Sequence, residues 1–277
     1  MIDPEAWLFI YEIENELPNP LPDAPKSLIG VWNEENFSYV FFLEPEDRYV
    51  ADLCSRFEMI VSSRHDMKYR DWQEGLPEGG LNICGIRFVP DHEHGYDSNS
   101  IILDPSVVFG DGNHPTTRTC VEFMVEIINT GGVKSAIDFG SGSGILSLVG
   151  GKLGLERVVA VDRNLLAVQS TRKNVSLNGM TEIIKTYEGE ARIFMEDRYD
   201  LVLANLPFTV LRDLAVLKEA TKNRIWILSG INQEQSEVLK TLFIEQGFVI
   251  TRERANPPWI TFVAAEKNIW SELFDET

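Results

Sequence analysis

The sequence predicts an α/β fold, in which a doubly wound, mainly parallel sheet of seven strands is joined to a smaller N-terminal α+β domain. Three observations predict it. From about residue 101, short apolar runs of strand length alternate with segments of helical length, the order that produces parallel sheets. One apolar run leads into a glycine-rich turn and then a helix. The first hundred residues differ, because they are acidic and contain proline-rich stretches.

This change of pattern divides the 277 residues into three parts. Residues 1–88 mix short apolar runs with acidic and proline-rich stretches, and we interpret them as the small α+β domain. Residues 89–100 are polar and rich in turn-forming residues, which indicates a linker. Residues 101–277 carry the regular alternation and form the predicted sheet domain.

Within the third part, the order of elements follows the chain. The predicted strands are residues 135–139, 157–161, 183–187, 200–204, 224–229, 248–254 and 259–266. The predicted helices are residues 116–128, 144–153, 165–177, 210–219 and 233–246. Glycines stand shortly after the first, third and last of these helices, as is usual at helix ends. The final two strands are predicted to form an antiparallel hairpin.

Composition limits the classes of function. No apolar run is long enough for a membrane span, and the acidic start lacks the basic region of a signal peptide, so we expect a cytoplasmic protein. Three scattered cysteines suit a reducing compartment and predict no metal site. The segment Asp91-His92-Glu93-His94 has metal-ligand residue types, but its polar setting without a distant partner favours a solvated loop.

The net charge of −18 is concentrated in the first third of the chain. Residues 1–104 hold 21 acidic and 7 basic side chains, whereas residues 105–277 hold 22 and 18. An acidic module repels a phosphate backbone and attracts a basic protein. We therefore predict a basic protein partner and no nucleic acid, with a merely solvated face as the alternative.

The glycine-rich turn at residues 138–144 is the central signal. Glycines alternate there between an apolar strand and a helix, so the backbone can adopt positive φ and approach a ligand closely. A dinucleotide fingerprint requires a further glycine at position 145, where Ile145 stands. The pattern DxGxGxG is instead common in class I methyltransferases, and its carboxylate can hold the methionine ammonium of S-adenosyl-L-methionine. The predicted cofactor contacts in this turn are Asp138, Gly140, Ser141, Gly142 and Gly144.

Asp162 supports the same interpretation. It ends the strand that follows the turn, 18 residues beyond Gly144. An acidic residue at that place accepts hydrogen bonds from ribose hydroxyls in nucleotide-binding sheets. Asp162 alone could simply cap the next helix.

Asn205-Leu206-Pro207-Phe208 follows another predicted strand. The motif resembles the Asn-Pro-Pro-Tyr type of enzymes that methylate amino nitrogens. The Asn205 oxygen and the Leu206 carbonyl can accept hydrogen bonds from a target amine and align it for direct displacement, while Phe208 packs on the substrate. We assign the catalytic function to these four residues, and Asn205 also to the cofactor site. An ordinary strand-ending turn is the alternative.

Residues 107–117 give the most specific resemblance. The run Phe109-Gly110-Asp111-Gly112-Asn113-His114-Pro115-Thr116-Thr117 resembles the Phe-Gly-Thr-Gly-x-His-Pro-Thr-Thr signature of the PrmA family, which methylates the eleventh protein of the large ribosomal subunit. The resemblance covers about residues 101–265. It implies a two-domain enzyme whose N-terminal domain recruits the ribosomal protein and whose C-terminal domain methylates lysine and N-terminal amines. It also implies that Phe109, Gly110, Gly112, His114, Thr116 and Thr117 shape the cofactor pocket.

Two departures from the family pattern leave alternatives open. Asp111 replaces the family's threonine, and Pro207 stands where the family has a non-proline continuation. The substrate can therefore be another protein or a small amine, or the chain can be a cofactor-binding relative without activity. A nicotinamide-dependent oxidoreductase is the least favoured alternative. We expect His114 to shape the pocket rather than act as a base, and the tryptophans to serve packing.

Overall fold

The N-terminal part of the molecule is an antiparallel sheet with one long helix. The computed structural model describes residues 2–33, 36–72, 76–77, 79–90 and 99–267. In the first two of these ranges the sheet has four strands in the order β2-β3-β1-β4. The strands are β1 (Trp7–Glu14), β2 (Leu28–Asn33), β3 (Phe37–Phe42) and β4 (Val61–Lys68). Helix α1 (Asp47–Phe57) precedes β4, and the short helix α2 (Tyr69–Trp72) follows it. This fold is of the small α+β kind that the sequence predicts.

The two faces of this sheet bury different residues. Alternation along β3 sends Val40 and Phe42 to a core that they share with Leu53 of α1. Tyr39 and Phe41 point to the opposite face. The N-terminal sheet is therefore apolar on both sides, and its second face needs a partner outside the domain.

A three-stranded sheet links the N-terminal part to the rest. It consists of β5 (Leu81–Ile83), β6 (Ile86–Val89) and β7 (Ser100–Ile102). Its apolar residues, such as Ile83 and Phe88, belong to the core beneath the large sheet. The domain boundary at residue 88 stays a prediction, since strands on its N-terminal side pack into that core. Residues 91–98 lie outside the described residues, and with them Asp91–His94 and most of the predicted linker.

The large sheet confirms the predicted α/β class. Over the described residues it has seven strands in the order β10-β9-β8-β11-β12-β14-β13, and β14 alone runs in the opposite direction to the other six. The strands are β8 (Ser135–Phe139), β9 (Arg157–Asp162), β10 (Ile184–Glu188), β11 (Leu201–Asn205), β12 (Ile225–Ile231), β13 (Phe248–Asn256) and β14 (Trp259–Glu266). The helices are α3 (Pro115–Ile128), α4 (Ile145–Lys152), α5 (Leu165–Leu177), α6 (Phe208–Ala215) and α7 (Gln233–Glu245). From β8 the chain continues through β9 and β10 toward one edge of the sheet and then returns to β11 on the other side of β8. Ligands are expected at the carboxyl ends of the strands at such a switch point.

Alternation along the central strands divides the core into two layers. Leu201 and Leu203 of β11 pack on one side, with residues of α3 and α4. Val202 and Ala204 pack on the other, with residues of α6 and α7. Burial on both faces explains why these strands are continuous apolar runs in the sequence.

The second face of the N-terminal sheet packs against α5. Leu8, Ile10 and Phe41 form one apolar cluster with Leu166 and Ala167. At Gly30 the contact is so close that an added Cβ would lie 2.5 Å from a Leu166 methyl. The N-terminal sheet is thereby fixed beside the carboxyl end of β9.

One predicted helix differs in its bounds. The helix predicted at 210–219 begins at Phe208 and ends at Ala215, and a separate 3₁₀ turn covers Lys218–Lys222. Pro207 has a fixed φ and no N–H to leave unpaired, so the first turn can start directly after it. Leu217 is extended (φ −74°, ψ 135°), which separates the two helical pieces.

No helix within the described ranges is long and apolar enough to cross a membrane.

Candidate active site

The glycine turn joins β8 to α4 at the switch point of the sheet. Gly140 and Gly142 have φ of +72° and +54°, a region that favours glycine. A Cβ on Gly142 would lie 2.5 Å from the Phe109 carbonyl oxygen, so the backbone of the 107–117 loop rests directly on the turn. The N–H groups of Gly140 and Ser141 donate to the Val161 carbonyl of β9 (2.8 and 3.1 Å). The Ser141 hydroxyl also lies 3.1 Å from the Thr171 hydroxyl of α5, and Gly144 packs against the same residue.

Asp138 lies behind the turn, within the core. Its side chain is 1% exposed, and its Oδ2 accepts hydrogen bonds from the Ser147 N–H and hydroxyl (3.1 and 2.7 Å). Burial raises the pKa of Asp138 to about 7, although the Ser147 bonds act in the opposite direction. Its carboxyl group therefore holds the first turn of α4 against the end of β8.

Asp162 ends β9 beside the turn. Its two oxygens accept bonds from the Gly142 N–H (3.0 Å) and the Asn164 N–H (2.9 Å). Burial raises the pKa of the Asp162 carboxyl above its usual range, while these N–H groups lower it. Asn164, and not Asp162, caps α5 by accepting from the Leu166 N–H. The alternative interpretation of Asp162 as a simple helix cap is therefore wrong.

Asn205 ends β11 at the same edge of the sheet. Its Nδ2 donates to the Thr116 hydroxyl (3.1 Å), and that hydroxyl lies 2.7 Å from His114 Nδ1. The bond fixes the side-chain amide and leaves the Asn205 oxygen as the group able to accept from a ligand. Pro207 occupies the cap position of α6.

The 107–117 loop is bonded to the glycine turn. The Ser143 N–H donates to the Phe109 carbonyl (3.0 Å), and the Ser143 hydroxyl donates to the Gly110 carbonyl (2.6 Å). Asp111, the departure from the family signature, accepts from the Asn113 N–H (2.9 Å) within the loop. Asp111 thus stabilises the loop through a hydrogen bond to its own backbone.

His114 caps α3 and lies between two aromatic rings. Its Nδ1 accepts from the Thr116 N–H, and its ring centroid lies 5.4 Å from Phe109 and 5.2 Å from Trp259. The pKa of the imidazole is lowered by burial, and the nearby Asp111 charge raises it by a smaller amount. Because Nδ1 accepts, we assign the proton of the neutral ring to Nε2. His114 is then a donor at that nitrogen and a poor candidate for a base.

These elements enclose a cavity of about 550 Å³ at the carboxyl edge of the sheet. Nine of its lining residues were predicted from the sequence: Phe109, His114, Thr116, Gly140, Gly142, Asp162, Asn205, Leu206 and Pro207. Predicted residues that do not line it are Gly110, Gly112, Thr117, Asp138, Ser141, Gly144 and Phe208. Phe208 packs against the core on the α6 side, and Thr117 is buried in α3.

Sequence reasoning missed a further set of lining residues. They are Trp32, Val161, Arg163, Asn164, Gly189, Glu190, Ala191, Val210, Gly230 and Trp259. Gly189 and Glu190 directly follow β10, so the carboxyl-edge rule that found Asp162 also applied to them. Two of the tryptophans that we expected to serve packing, Trp32 and Trp259, also line the cavity. The sequence contains no signal for Trp32. This residue reaches the cavity because the N-terminal sheet packs on α5, and no sequence pattern predicts that packing.

Metal ligands are not grouped in the part of the chain that the structure describes. No three His, Cys, Asp or Glu side chains there are placed to hold an ion. The cavity is instead lined by backbone of the glycine turn, two carboxylates (Asp162 and Glu190), two amides (Asn164 and Asn205), the Arg163 guanidinium and several aromatic rings. This donor set suits an organic ligand with hydroxyl and amino groups.

Comparisons with known proteins indicate one family. The family described as "Ribosomal protein L11 methyltransferase (PrmA)" matches residues 82–267. Among curated proteins, a ribosomal protein L11 methyltransferase of Desulforamulus reducens is 35% identical over 194 residues, which cover 69% of this chain and 57% of that protein. One of Exiguobacterium sp. is 36% identical over 172 residues, covering 61% and 54%. The matches span little more than half the length of these relatives.

A solved structure shows the same fold. The crystal structure of ribosomal protein L11 methylase from Lactobacillus delbrueckii subsp. bulgaricus superposes with a TM-score of 0.56 at 28% identity. The superposition covers 65% of this chain and 94% of that one. The family match begins at residue 82, so the N-terminal sheet lies outside it.

Proposed function

Because the chain belongs to the family of ribosomal protein L11 methyltransferases, we propose that it is an S-adenosyl-L-methionine-dependent N-methyltransferase of a basic protein, with ribosomal protein L11 as the first candidate. The observation that carries this proposal is the position of Asn205. Its amide lies in one cavity with the glycine turn and Asp162, and its nitrogen is held by Thr116. This arrangement leaves an oxygen acceptor beside a nucleotide-type site.

The residues present fit S-adenosyl-L-methionine. A cavity of about 550 Å³ is large enough for a ligand of drug-like size. Asp162 lines this cavity and would accept bonds from ribose hydroxyls. Gly140 and Gly142 also line it, and as glycines they would present only backbone to the ligand. Asp138, one layer deeper, would act on a ligand ammonium through its charge or a bridging water. When bound, the cofactor supplies an electrophilic methyl group.

The contribution of the protein to methyl transfer is alignment. The Asn205 oxygen and the Leu206 carbonyl would accept two hydrogen bonds from the target amine, which directs its lone pair toward the methyl group. Gly230 keeps this corner narrow, since a Cβ there would lie 2.7 Å from the Leu206 carbonyl oxygen. Such positioning serves lysine side chains and an N-terminal amine equally.

A lysine amine must be neutral before it can attack. Because His114 Nδ1 is engaged by Thr116, the imidazole does not present a basic nitrogen there. Desolvation among Phe109, Trp259 and Leu206 would instead lower the pKa of an entering amine. The proton would be lost to solvent as the amine enters.

The charge of the chain supports a basic acceptor. Positions 1–104 hold 21 acidic and 7 basic residues, and this negative charge would attract a lysine-rich protein. A ribosomal acceptor would place the enzyme in the cytoplasm, where ribosomes are assembled.

Two measurements test this function. Calorimetry with S-adenosylhomocysteine and with NADH separates a methyltransferase from an oxidoreductase, and we expect binding of the first only. Radiolabelled S-adenosyl-L-methionine added with the protein to cell extract identifies the acceptor. We expect label on one or a few basic polypeptides. Cofactor binding without any labelled product would instead favour a relative without activity.

A further inference from the structure

A second cavity adjoins the candidate active site. It is a cleft of about 360 Å³ between the N-terminal sheet and the start of the 107–117 loop. Trp32 and Phe109 line both this cleft and the active-site cavity, so the two spaces are neighbours. We call it the aromatic cleft, and its lining residues are Trp32, Tyr39, Phe41, Trp72, Val107, Val108 and Phe109.

The aromatic cleft is built from two parts of the chain that lie far apart in sequence. Trp32 and Tyr39 are cross-strand partners in the β2–β3 pair. Phe41 follows on the same face and is buried, and its ring contacts Trp72 edge to face at 5.1 Å. The Trp72 indole N–H donates to the Val107 carbonyl (3.0 Å), which ties the N-terminal sheet to the loop. The cleft is thus held in shape by packing and a hydrogen bond.

The chemistry of the cleft selects an apolar occupant. None of its described lining residues is charged, and five of the seven carry aromatic rings. Its volume suits one or two apolar side chains, whose burial against aromatic rings is favourable. Trp72 and Phe109 remain 39% and 48% exposed, so apolar surface at its rim is still open to a ligand.

We propose that the aromatic cleft binds an apolar side chain next to the methylated amine of a polypeptide substrate. The proposal rests on the proposed function. An amine held at Asn205 would bring the neighbouring residue of its chain near Trp32 and Phe109, the two residues that the active-site cavity shares with the cleft. The acidic N-terminal third beside the cleft would then contact basic residues farther along that chain. A polypeptide combines an apolar anchor with flanking positive charge.

Tyr39→Ala tests this role, because Tyr39 lines only the cleft and is absent from the active-site cavity. With ribosomal protein L11 of the same organism as acceptor, we expect KM to rise about tenfold, while kcat and the Kd for S-adenosylhomocysteine stay within about twofold. Tyr39→Phe, which keeps the ring, should restore the KM. Trp7→Ala is the matched control, because Trp7 is an exposed aromatic (49%) in the same sheet that does not line the cleft.

A second arm leaves the enzyme unchanged. Mass spectrometry locates the methylated amines, and apolar residues within two positions of each are replaced by serine in the acceptor. We expect the same tenfold rise in KM. An unchanged KM in both arms would overturn the role of the cleft, while methylation of the wild-type acceptor would still support the proposed function. Labelling of a small amine alone would overturn the polypeptide occupant, and absence of any methylated product would contradict the proposed function itself.

Discussion

Asn205 is the residue on which the proposed chemistry depends. It lies at the end of β11, where Thr116 holds its nitrogen and where it lines the active-site cavity. The strand and the following Leu-Pro-Phe were sufficient to single it out in the sequence. The bond to Thr116 was not predictable, because the two residues are 89 positions apart and meet only through the packing of α3 on the sheet.

Asn205→Ala should lower kcat about a hundredfold, because the amine loses one of its two acceptors and its alignment. Affinity for S-adenosylhomocysteine, measured by calorimetry, should change less than about threefold. Asn232→Ala is the matched control, since Asn232 is exposed, follows the neighbouring strand and caps α7. Unchanged turnover in Asn205→Ala would remove this residue from the mechanism.

Thr116→Val should lower kcat about tenfold, because it removes the hydroxyl that accepts from Asn205 while keeping the shape of the side chain. Thr116→Ser keeps the hydroxyl and should stay near wild type. Steady-state kinetics of the two variants measure this difference. Equal rates would mean that packing alone holds the Asn205 amide.

Asp138 gives a prediction about pH. Its pKa is about 7 in the folded protein, against an ordinary value of 3.8 for an aspartate in the unfolded chain, so the folded state binds more protons between these values. This group therefore makes the protein less stable as the pH rises from about 4 to 7. Asp138→Asn should raise the melting temperature by several degrees at pH 8, and by less at pH 5, while weakening cofactor binding.

Asp200→Asn is the control of opposite sign. Burial acts to raise the pKa of Asp200, but the Lys134 N–H, Arg224 and Ser135 lower it overall. The Asp200 carboxylate thus stabilises the fold at pH values above its pKa in the unfolded chain, and its loss should lower the melting temperature at both pH 5 and pH 8. A less stable Asp138→Asn at pH 8 would contradict our account of Asp138.

At the scale of elements, the glycine turn and the 107–117 loop act as one unit. The sequence predicted each of them, because glycine spacing and the family signature are local patterns. Their contact, through Ser143 and the Phe109 carbonyl, required the structure. Helix bounds were predicted to within a residue or two where a cap or glycine marked them, as for α5. They were missed at α6, where the break at Leu217 leaves the apolar pattern uninterrupted.

Gly142→Ala should disrupt this unit. The variant must adopt positive φ, and its Cβ would lie 2.5 Å from the Phe109 carbonyl oxygen, which is backbone and cannot rotate away. We expect the Kd for S-adenosylhomocysteine to rise at least about tenfold in calorimetry. Gly179→Ala is the matched control, with φ of +64° and no neighbour within 4 Å. It should cost only about 1 kcal/mol of stability and leave the Kd unchanged.

At the scale of the whole molecule, the N-terminal sheet is part of the candidate site. The acidic composition of this region was visible in the sequence, and so was its small α+β character. Its docking on α5 through Leu8, Ile10 and Phe41 was not visible, since apolar residues on both faces of a sheet do not specify the partner. Trp32 and the aromatic cleft could therefore be found only from the structure.

The uneven charge predicts a dependence on salt. With a basic acceptor, kcat/KM should fall severalfold between about 50 and 300 mM NaCl, because exposed charges are screened over a shorter distance. The KM for S-adenosyl-L-methionine should change little, since this ligand does not depend on the charge of the N-terminal third for its binding. A kcat/KM that is constant across this range would argue against electrostatic recruitment by the N-terminal third.

The central claim is that this protein methylates amino groups of ribosomal protein L11 and that the cavity is its active site. Intact-mass spectrometry of L11, incubated with S-adenosyl-L-methionine and either wild-type protein or Asn205→Ala, tests it most directly. We predict that L11 gains one or more methyl groups on lysine or N-terminal amines with the wild-type protein, and almost none with the variant. An unmodified L11, under conditions in which S-adenosylhomocysteine binds to the wild-type protein, would contradict the claim.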